Sequence, residues 1–213
     1  MYEPLCSVRD VVLQYRGSDK PALKPESLDL HAGEILGIRG KNGAGKSTLM
    51  AVMAGCIRPD SGSVRYGEGV RGSVAYVPQE LSLYESMTGL ENLRFWGIAD
   101  GLPSGAIRIR SRWLLEVLHL TEKARSPVFS YSGGMKRRLH LASALMVTPK
   151  LLFLDEPTVG ADAESVSVIL HLLRHIAGNG TGILVISHQF EELEQICSRV
   201  LTLEDGKLRG SYR

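Results

Sequence analysis

Three glycines, two lysines and two hydroxyl side chains stand together in Gly40-Lys41-Asn42-Gly43-Ala44-Gly45-Lys46-Ser47-Thr48, the pattern of a loop that wraps a chain of phosphates. Each residue type has a reason. Glycines let the backbone close in, so that its N–H groups aim at the α- and β-phosphates of a nucleotide from the positive end of the following helix. Lys46 is expected to reach the β- and γ-phosphates as a point charge, and the Ser47 hydroxyl to ligate Mg²⁺. A second constellation closes an apolar run, Leu151-Leu152-Phe153-Leu154-Asp155-Glu156. Asp155 is expected to hold Mg²⁺, directly or through water. Glu156, one residue on, is placed to polarise an attacking water as general base.

Such chemistry needs a rigid frame. Short apolar runs rich in β-branched residues alternate with helix-period segments, which predicts an α/β fold on a mostly parallel sheet. Strands are predicted at Ile35–Arg39, Val74–Val77, Leu151–Asp155 and Ile183–Ser187. The glycine-rich loop therefore follows a strand and opens a helix over Thr48–Gly55. The carboxylates sit at a strand's carboxyl end, where α/β folds place their ligands. Glu164–Ala177 predicts a helix burying Val166, Ile169, Leu170 and Leu173 on one face. Val200–Arg209 reads as a closing hairpin turned at Asp205-Gly206. Val8–Tyr15 and Ser27–His31 read as an antiparallel pair around a loop containing Gly17, Pro21 and Pro25.

From Leu81 to Val147 no strand pattern appears. Helices over Glu91–Trp96 and Ile107–Leu118, the latter turning Leu114, Val117 and Leu118 inward, flank a Gly/Pro/Ser loop at Asp100–Gly105. The expected organisation is one domain, 1–213. Its nucleotide-binding core (1–80 and 148–213) carries an antiparallel N-terminal β subdomain and an inserted α-helical subdomain (81–147).

Composition narrows the class further. With 44% apolar and 23% charged residues, the chain is neither disordered nor collagen-like. A net charge of +2 is too small for a surface that tracks nucleic acid. No apolar run approaches the roughly 18 residues of a membrane span, and Met1-Tyr2-Glu3-Pro4 does not read as a secretory signal. Cys6, Cys56 and Cys197 are odd in number and far apart, which points to reduced thiols in the cytosol. His171 and His175 stand four apart on a helix, but without a third ligand they read as a solvated face. Lys136-Arg137-Arg138 reads as a solvated face or as trim of the nucleotide site. Arg108, Arg110 and Arg112 would meet either acidic residues of a partner or water.

Tyr131-Ser132-Gly133-Gly134-Met135 turns this frame into a family. The sequence resembles the ATP-binding subunits of ABC transporters, whose signature Leu-Ser-Gly-Gly-Gln opens a helix. Ser132, Gly133 and Gly134 match, while Tyr131 and Met135 depart from the commonest form. The resemblance implies a phosphate-loop NTPase fold with a RecA-like core and ATP with Mg²⁺ as ligands. It also implies a head-to-tail dimer in which Ser132–Gly134 complete the ATP site of a second ATP-binding subunit, a like chain or a paralogue. Three further positions match in order. Gln79 corresponds to the glutamine loop that touches Mg²⁺ and the water. His188 corresponds to the switch histidine at the γ-phosphate, and Tyr15 to the aromatic residue stacked on adenine. Asp162 is kept after Pro157-Thr158, where the family makes a contact across the dimer. Ala161 replaces a bulkier Leu there and is expected to loosen that contact.

The activity the resemblance implies is ATP hydrolysis. Lys46, Gln79, Glu156 and His188 would be the catalytic side chains, and ATP-driven dimer closure would power separate transmembrane permease subunits from the cytoplasmic face of the membrane. The permease would dock near Leu81–Phe95. Leu83-Tyr84-Glu85-Ser86-Met87-Thr88 with Glu91-Asn92-Leu93 resembles the subgroup serving drug and polysaccharide export. The alternative is a soluble ABC-type ATPase with a non-membrane partner, as in cluster assembly. A degenerate, regulatory nucleotide binder fits poorly with an intact Glu156 and His188.

Overall fold

In the computed structural model, which describes residues 3–188 and 191–212, the apolar runs of the chain sort into two sheets. The smaller is antiparallel, in the order β2 (Leu23–Leu30), β1 (Cys6–Leu13), β4 (Ser61–Tyr66). The larger has six strands in the order β5 (Val74–Val77), β6 (Leu151–Asp155), β7 (Gly182–Ile186), β3 (Ile35–Arg39), β8 (Arg199–Glu204), β9 (Lys207–Tyr212). All its pairings are parallel except the β8–β9 hairpin, which turns at Asp205-Gly206 as expected.

Period-two alternation explains why β6 reads as an unbroken apolar run. Leu152 and Leu154 face a core shared with the helices, while Leu151 and Phe153 face a second core roofed by the smaller sheet. α1 (Lys46–Met53) buries Leu49, Met50 and Met53 in that second core. α5 (Ala163–Gly178) buries Val166, Ile169, Leu170 and Leu173 on the opposite side of the sheet, as its periodicity predicts. A four-residue helix, α6 (Glu191–Glu194), precedes β8.

Between β5 and β6 lie α2 (Gly89–Ala99), α3 (Ser104–Val117) and α4 (Gly133–Ala144), with 3-10 turns at Thr121–Lys123 and Val128–Ser130. α2 starts two residues earlier than its apolar pattern indicates. Thr88 and Glu91 form a capping box, Thr88 Oγ1 accepting the Glu91 N–H and Glu91 Oε2 accepting the Thr88 N–H. Leu93, Leu114, Leu118 and Leu139 of these helices share one continuous core with Leu152, Leu154 and Ile183 of the sheet.

Several expectations need correction. β4 is absent from the sequence reading because Ser61-Gly62-Ser63 opens it and its residues are only partly covered. Pro25 falls inside β2, beside an interruption of the β1–β2 register between Val11 and Leu13, where a missing N–H is tolerated. α3 takes in Ser104 and Gly105 from the expected loop, and Leu115 is the buried neighbour of Leu114 while Val117 is only half-buried. Arg110 is engaged inside the chain. It donates Nε–H to the Leu145 carbonyl at 2.8 Å and lies 4.5 Å from the centre of the Trp113 ring.

Candidate nucleotide site

The phosphate-type loop joins β3 to α1. Its two most constrained glycines show why glycine is required. A Cβ on Gly40 would lie 2.3 Å from the Leu203 carbonyl oxygen, and one on Gly45, at φ +102°, 2.3 Å from that of Ala22. Lys41, Asn42 and Gly43 form the exposed crest, and the Ala44 carbonyl accepts the Gly206 N–H from the hairpin turn at 3.1 Å. Lys46 is buried, and its ammonium donates to the Gly40 and Lys41 carbonyls at 2.8 and 3.1 Å. The outer side of the loop borders a cleft of about 1320 Å³ lined also by His188, Glu191, Glu194 and Asp205.

Beside the loop, β6 delivers its carboxylates. Burial pushes the Asp155 carboxyl pKa up, a hydrogen bond from Ser47 opposes this, and the charges of Glu156 and Lys46 act in opposite directions. Two hard oxygen donors, one hydroxyl and one carboxylate, are thus joined at the foot of the loop, a donor set that suits Mg²⁺. Glu156 is buried at φ +52° and fixed from three directions. Its Oε1 accepts the His188 N–H at 2.9 Å and lies 2.8 Å from His188 Nδ1, while Ser187 Oγ donates to Oε2 at 3.0 Å. The structure therefore brings together Lys46, Ser47, Asp155, Glu156 and His188. Ser187, a strand end by its place in the sequence, is part of the constellation.

The remaining candidates lie apart from this cluster or at its edge. Tyr15 is 48% exposed, with its hydroxyl 3.2 Å from Thr48 Oγ1. Gln79 follows β5 on an exposed loop, held through its main-chain carbonyl by Arg137. Ser132, Gly133 and Gly134 open α4, and Ser132 Oγ caps the helix by accepting the Met135 N–H at 3.2 Å. None of the three lines the cleft at the phosphate-type loop. A Cβ on Gly134 would lie 2.3 Å from Ser165 Oγ and 2.8 Å from Asp162 Oδ2, so α4 seats directly on the start of α5. Asp162 itself caps α5 by accepting the Ser165 N–H at 2.8 Å. That bond comes first among the causes holding its carboxyl below the usual range. Ala161 packs partly buried against the core.

The two departures from the commonest signature are internal. Tyr131 is buried and donates its hydroxyl to the Lys123 carbonyl at 2.6 Å, with the Gly89 N–H donating to it in turn. Met135 packs on the core shared with the sheet. The basic run after the signature is not a solvated face. Lys136 pairs with Glu85, Arg137 bonds the Gln79 and Val159 carbonyls, and Arg138 is buried, donating to the Leu118 carbonyl at 2.8 Å. Helical spacing from Gly134 was the available signal, since Arg137, Arg138 and Leu141 follow it at three, four and seven residues. His171 and His175 are exposed on α5, and among the described residues no cluster of three or more His, Cys, Asp or Glu gathers for a metal.

A mostly parallel sheet with a glycine-rich loop between β3 and α1, paired carboxylates at the end of β6 one strand removed, and a helical insert whose last helix opens on Ser-Gly-Gly define a phosphate-loop nucleotide-binding domain of the ATP-binding-cassette class. Residues 23–159 match the ABC transporter family, and the chain belongs to it. It is 39% identical over 197 residues to the linearmycin resistance ATP-binding protein LnrL of Bacillus subtilis (strain 168), covering 89% of this chain and 63% of that one. It is 36% identical to the daunorubicin resistance ATP-binding protein DrrA3 of Streptomyces coeruleorubidus, covering 91% and 64%. The chain thus spans a little under two thirds of the length of these curated relatives. The solved ATP-binding subunit of an ABC transporter superposes on 98% of this chain and 89% of its own, with a TM-score of 0.86 at 28% identity.

Proposed function

We propose that the chain is the ATP-hydrolysing subunit of an export-type ABC transporter, one unit over 1–213 with the insert 81–147 packed on the core. It would work as a dimer that drives separate transmembrane permease subunits from the cytoplasmic face of the membrane. The observation that carries the reading is the grip on Glu156. A carboxylate held by Ser187 and His188 beside Asp155, Ser47 and Lys46 is a general base set next to a phosphate cradle. The drug-resistance names of the relatives support export as the direction. Among the described residues no helix is long and apolar enough to cross a membrane, in keeping with a separate permease.

In this reading ATP lies along the Gly40–Thr48 loop with Tyr15 against its base. Lys46 leaves the Gly40 and Lys41 carbonyls for the β- and γ-phosphates. Ser47 and Asp155, with Gln79 alongside, would hold Mg²⁺, which when bound neutralises charge on the phosphates. Glu156 accepts a proton from the attacking water and orients it in line with the γ-phosphorus. His188, bonded to Glu156, faces the same phosphate. The second subunit's counterparts of Ser132, Gly133 and Gly134 close the site, and Asp162 and Ala161 lie on the loop between the halves.

The Glu156→Gln variant, expressed in its native host and purified from detergent-solubilised membranes with ATP, tests the reading. A polytopic membrane protein recovered in stoichiometric amount is the expected result. A soluble companion, with the chain absent from membranes, would replace the permease by the soluble ATPase alternative.

A further inference from the structure

The loops after β5 and β6 carry Gln79 and Glu156, and one side chain touches both loops. Arg137, in the second turn of α4, donates Nε–H to the Val159 carbonyl at 3.1 Å and Nη1–H to the Gln79 carbonyl. Among the described residues it has no carboxylate at ion-pair distance. Burial pushes its pKa down, and the charge of Glu156 acts the other way. One turn on, His140 is buried, and its Nε2 accepts the Ser82 N–H at 3.3 Å. α4 therefore grips the loop at 79–82 at both ends and the loop after Glu156 between them.

Arg137 is half-buried, and its guanidinium spends its donors on two main-chain carbonyls from different loops. The donors of this planar fork sit at fixed angles, so two carbonyls bonded to one guanidinium are held at a fixed separation, which a lysine ammonium on a flexible stem does not impose. The two carbonyls belong to residues 79 and 159, so this side chain ties together two loops that leave the paired strands β5 and β6.

We propose that Arg137 is a positioning residue for ATP hydrolysis. It spaces the Gln79 loop against the loop that follows Glu156, so that both side chains meet the same water, and it ties both to the helix that begins at Ser132. The inference rests on the hydrolytic reading above. Its message for function is that any displacement of the α4 start is carried to Gln79 within the same subunit.

The test is steady-state hydrolysis and equilibrium ATP binding by the parent chain, Arg137→Lys and Arg137→Ala, each also in a Gln79→Ala background. Arg137→Lys keeps the charge but gathers its donors on one nitrogen and so loses the fork. Its expected kcat is lower by about tenfold or more, with the Kd for ATP within about twofold and the Tm close to the parent's. If Arg137 acts through Gln79, the same substitution costs little once Gln79 is alanine. Unchanged kcat in Arg137→Lys, full additivity with Gln79→Ala, or loss of kcat only in step with Tm would each overturn the proposal. A parent chain that binds ATP without turning it over overturns the hydrolytic reading and the proposal with it. A parent that turns over ATP, with Arg137→Lys matching it, removes the proposal alone.

Discussion

At the carboxyl ends of β3 and β6 the polar groups are already engaged inside the chain, whereas the start of α4 presents its residues outward. Lys46 rests on the Gly40 and Lys41 carbonyls, Asp155 takes a hydrogen bond from Ser47, and Glu156 is held by Ser187 and His188. Ser132 and Gly133, by contrast, are exposed, and the serine hydroxyl caps its own helix. The difference separates two kinds of preparation. In the first region Lys46 rests on carbonyl oxygens that phosphate oxygens can replace, so ligand binding exchanges its contacts, while the two carboxylates are already held by hydroxyl and N–H donors. The second has a rigid, buried root and an open face, the form of a surface completed by another molecule.

The largest effect expected from breaking the first region is on turnover. Glu156→Gln keeps the shape but removes the base, and kcat should fall by about 10³-fold with ATP binding retained, as read by hydrolysis and equilibrium binding. Hydrolysis at the parent rate would move the base elsewhere. The root of the second region gives the next effect, on stability. Burial holds His140 neutral with a pKa lowered from 6.5 to about 4, so the unfolded chain takes up its proton first. The stability this neutral ring contributes is intact above pH about 6.5, and about 3 kcal/mol of it is lost as the pH falls through about 4. Urea midpoints measured across that range should show the loss, and His140→Gln should flatten it.

Lys46→Ala should raise the Kd for ATP by about 100-fold, since charge-assisted bonds to phosphate disappear while the loop remains. An unchanged Kd would mean that the ammonium never leaves its carbonyls. The smallest effect is at the open face. Ser132→Ala removes a helix cap and should lower stability by about 1 kcal/mol, leaving ATP affinity of the lone chain intact. Mixing that variant with Lys46→Ala sharpens the contrast, because one complete site can form between the two chains and part of the turnover should return. No recovery on mixing would place the whole site within one chain.

How much of this was legible depends on the range of the interaction. β3, β5 and β6 match their expected bounds because consecutive residues encode them, and the phosphate-type loop is read from nine adjacent positions. Asp155 and Glu156 follow from their place at a strand end. Arg137 and His140 escaped because their partners are main-chain atoms 58 residues away, which leave no trace in residue type. Tyr131 looked like a departure from a motif and is a hydrogen-bonded core residue, a distinction visible only once Lys123 and Gly89 are seen beside it. The partly covered β4 had too little apolar alternation to register.

The strand order has a consequence for how such a chain is born. β3, which presents the phosphate-type loop, is paired on one side with β7 and on the other with β8, and the loop's own Ala44 carbonyl is tied to Gly206. A ribosome releases the loop more than a hundred residues before it releases those neighbours. Until then the glycine-rich segment has Ala22 and Leu23 to pack on but lacks the two strands that flank β3. A chain cut before β7 would carry the whole motif yet lack both strands that frame it and the Gly206 N–H that ties the Ala44 carbonyl.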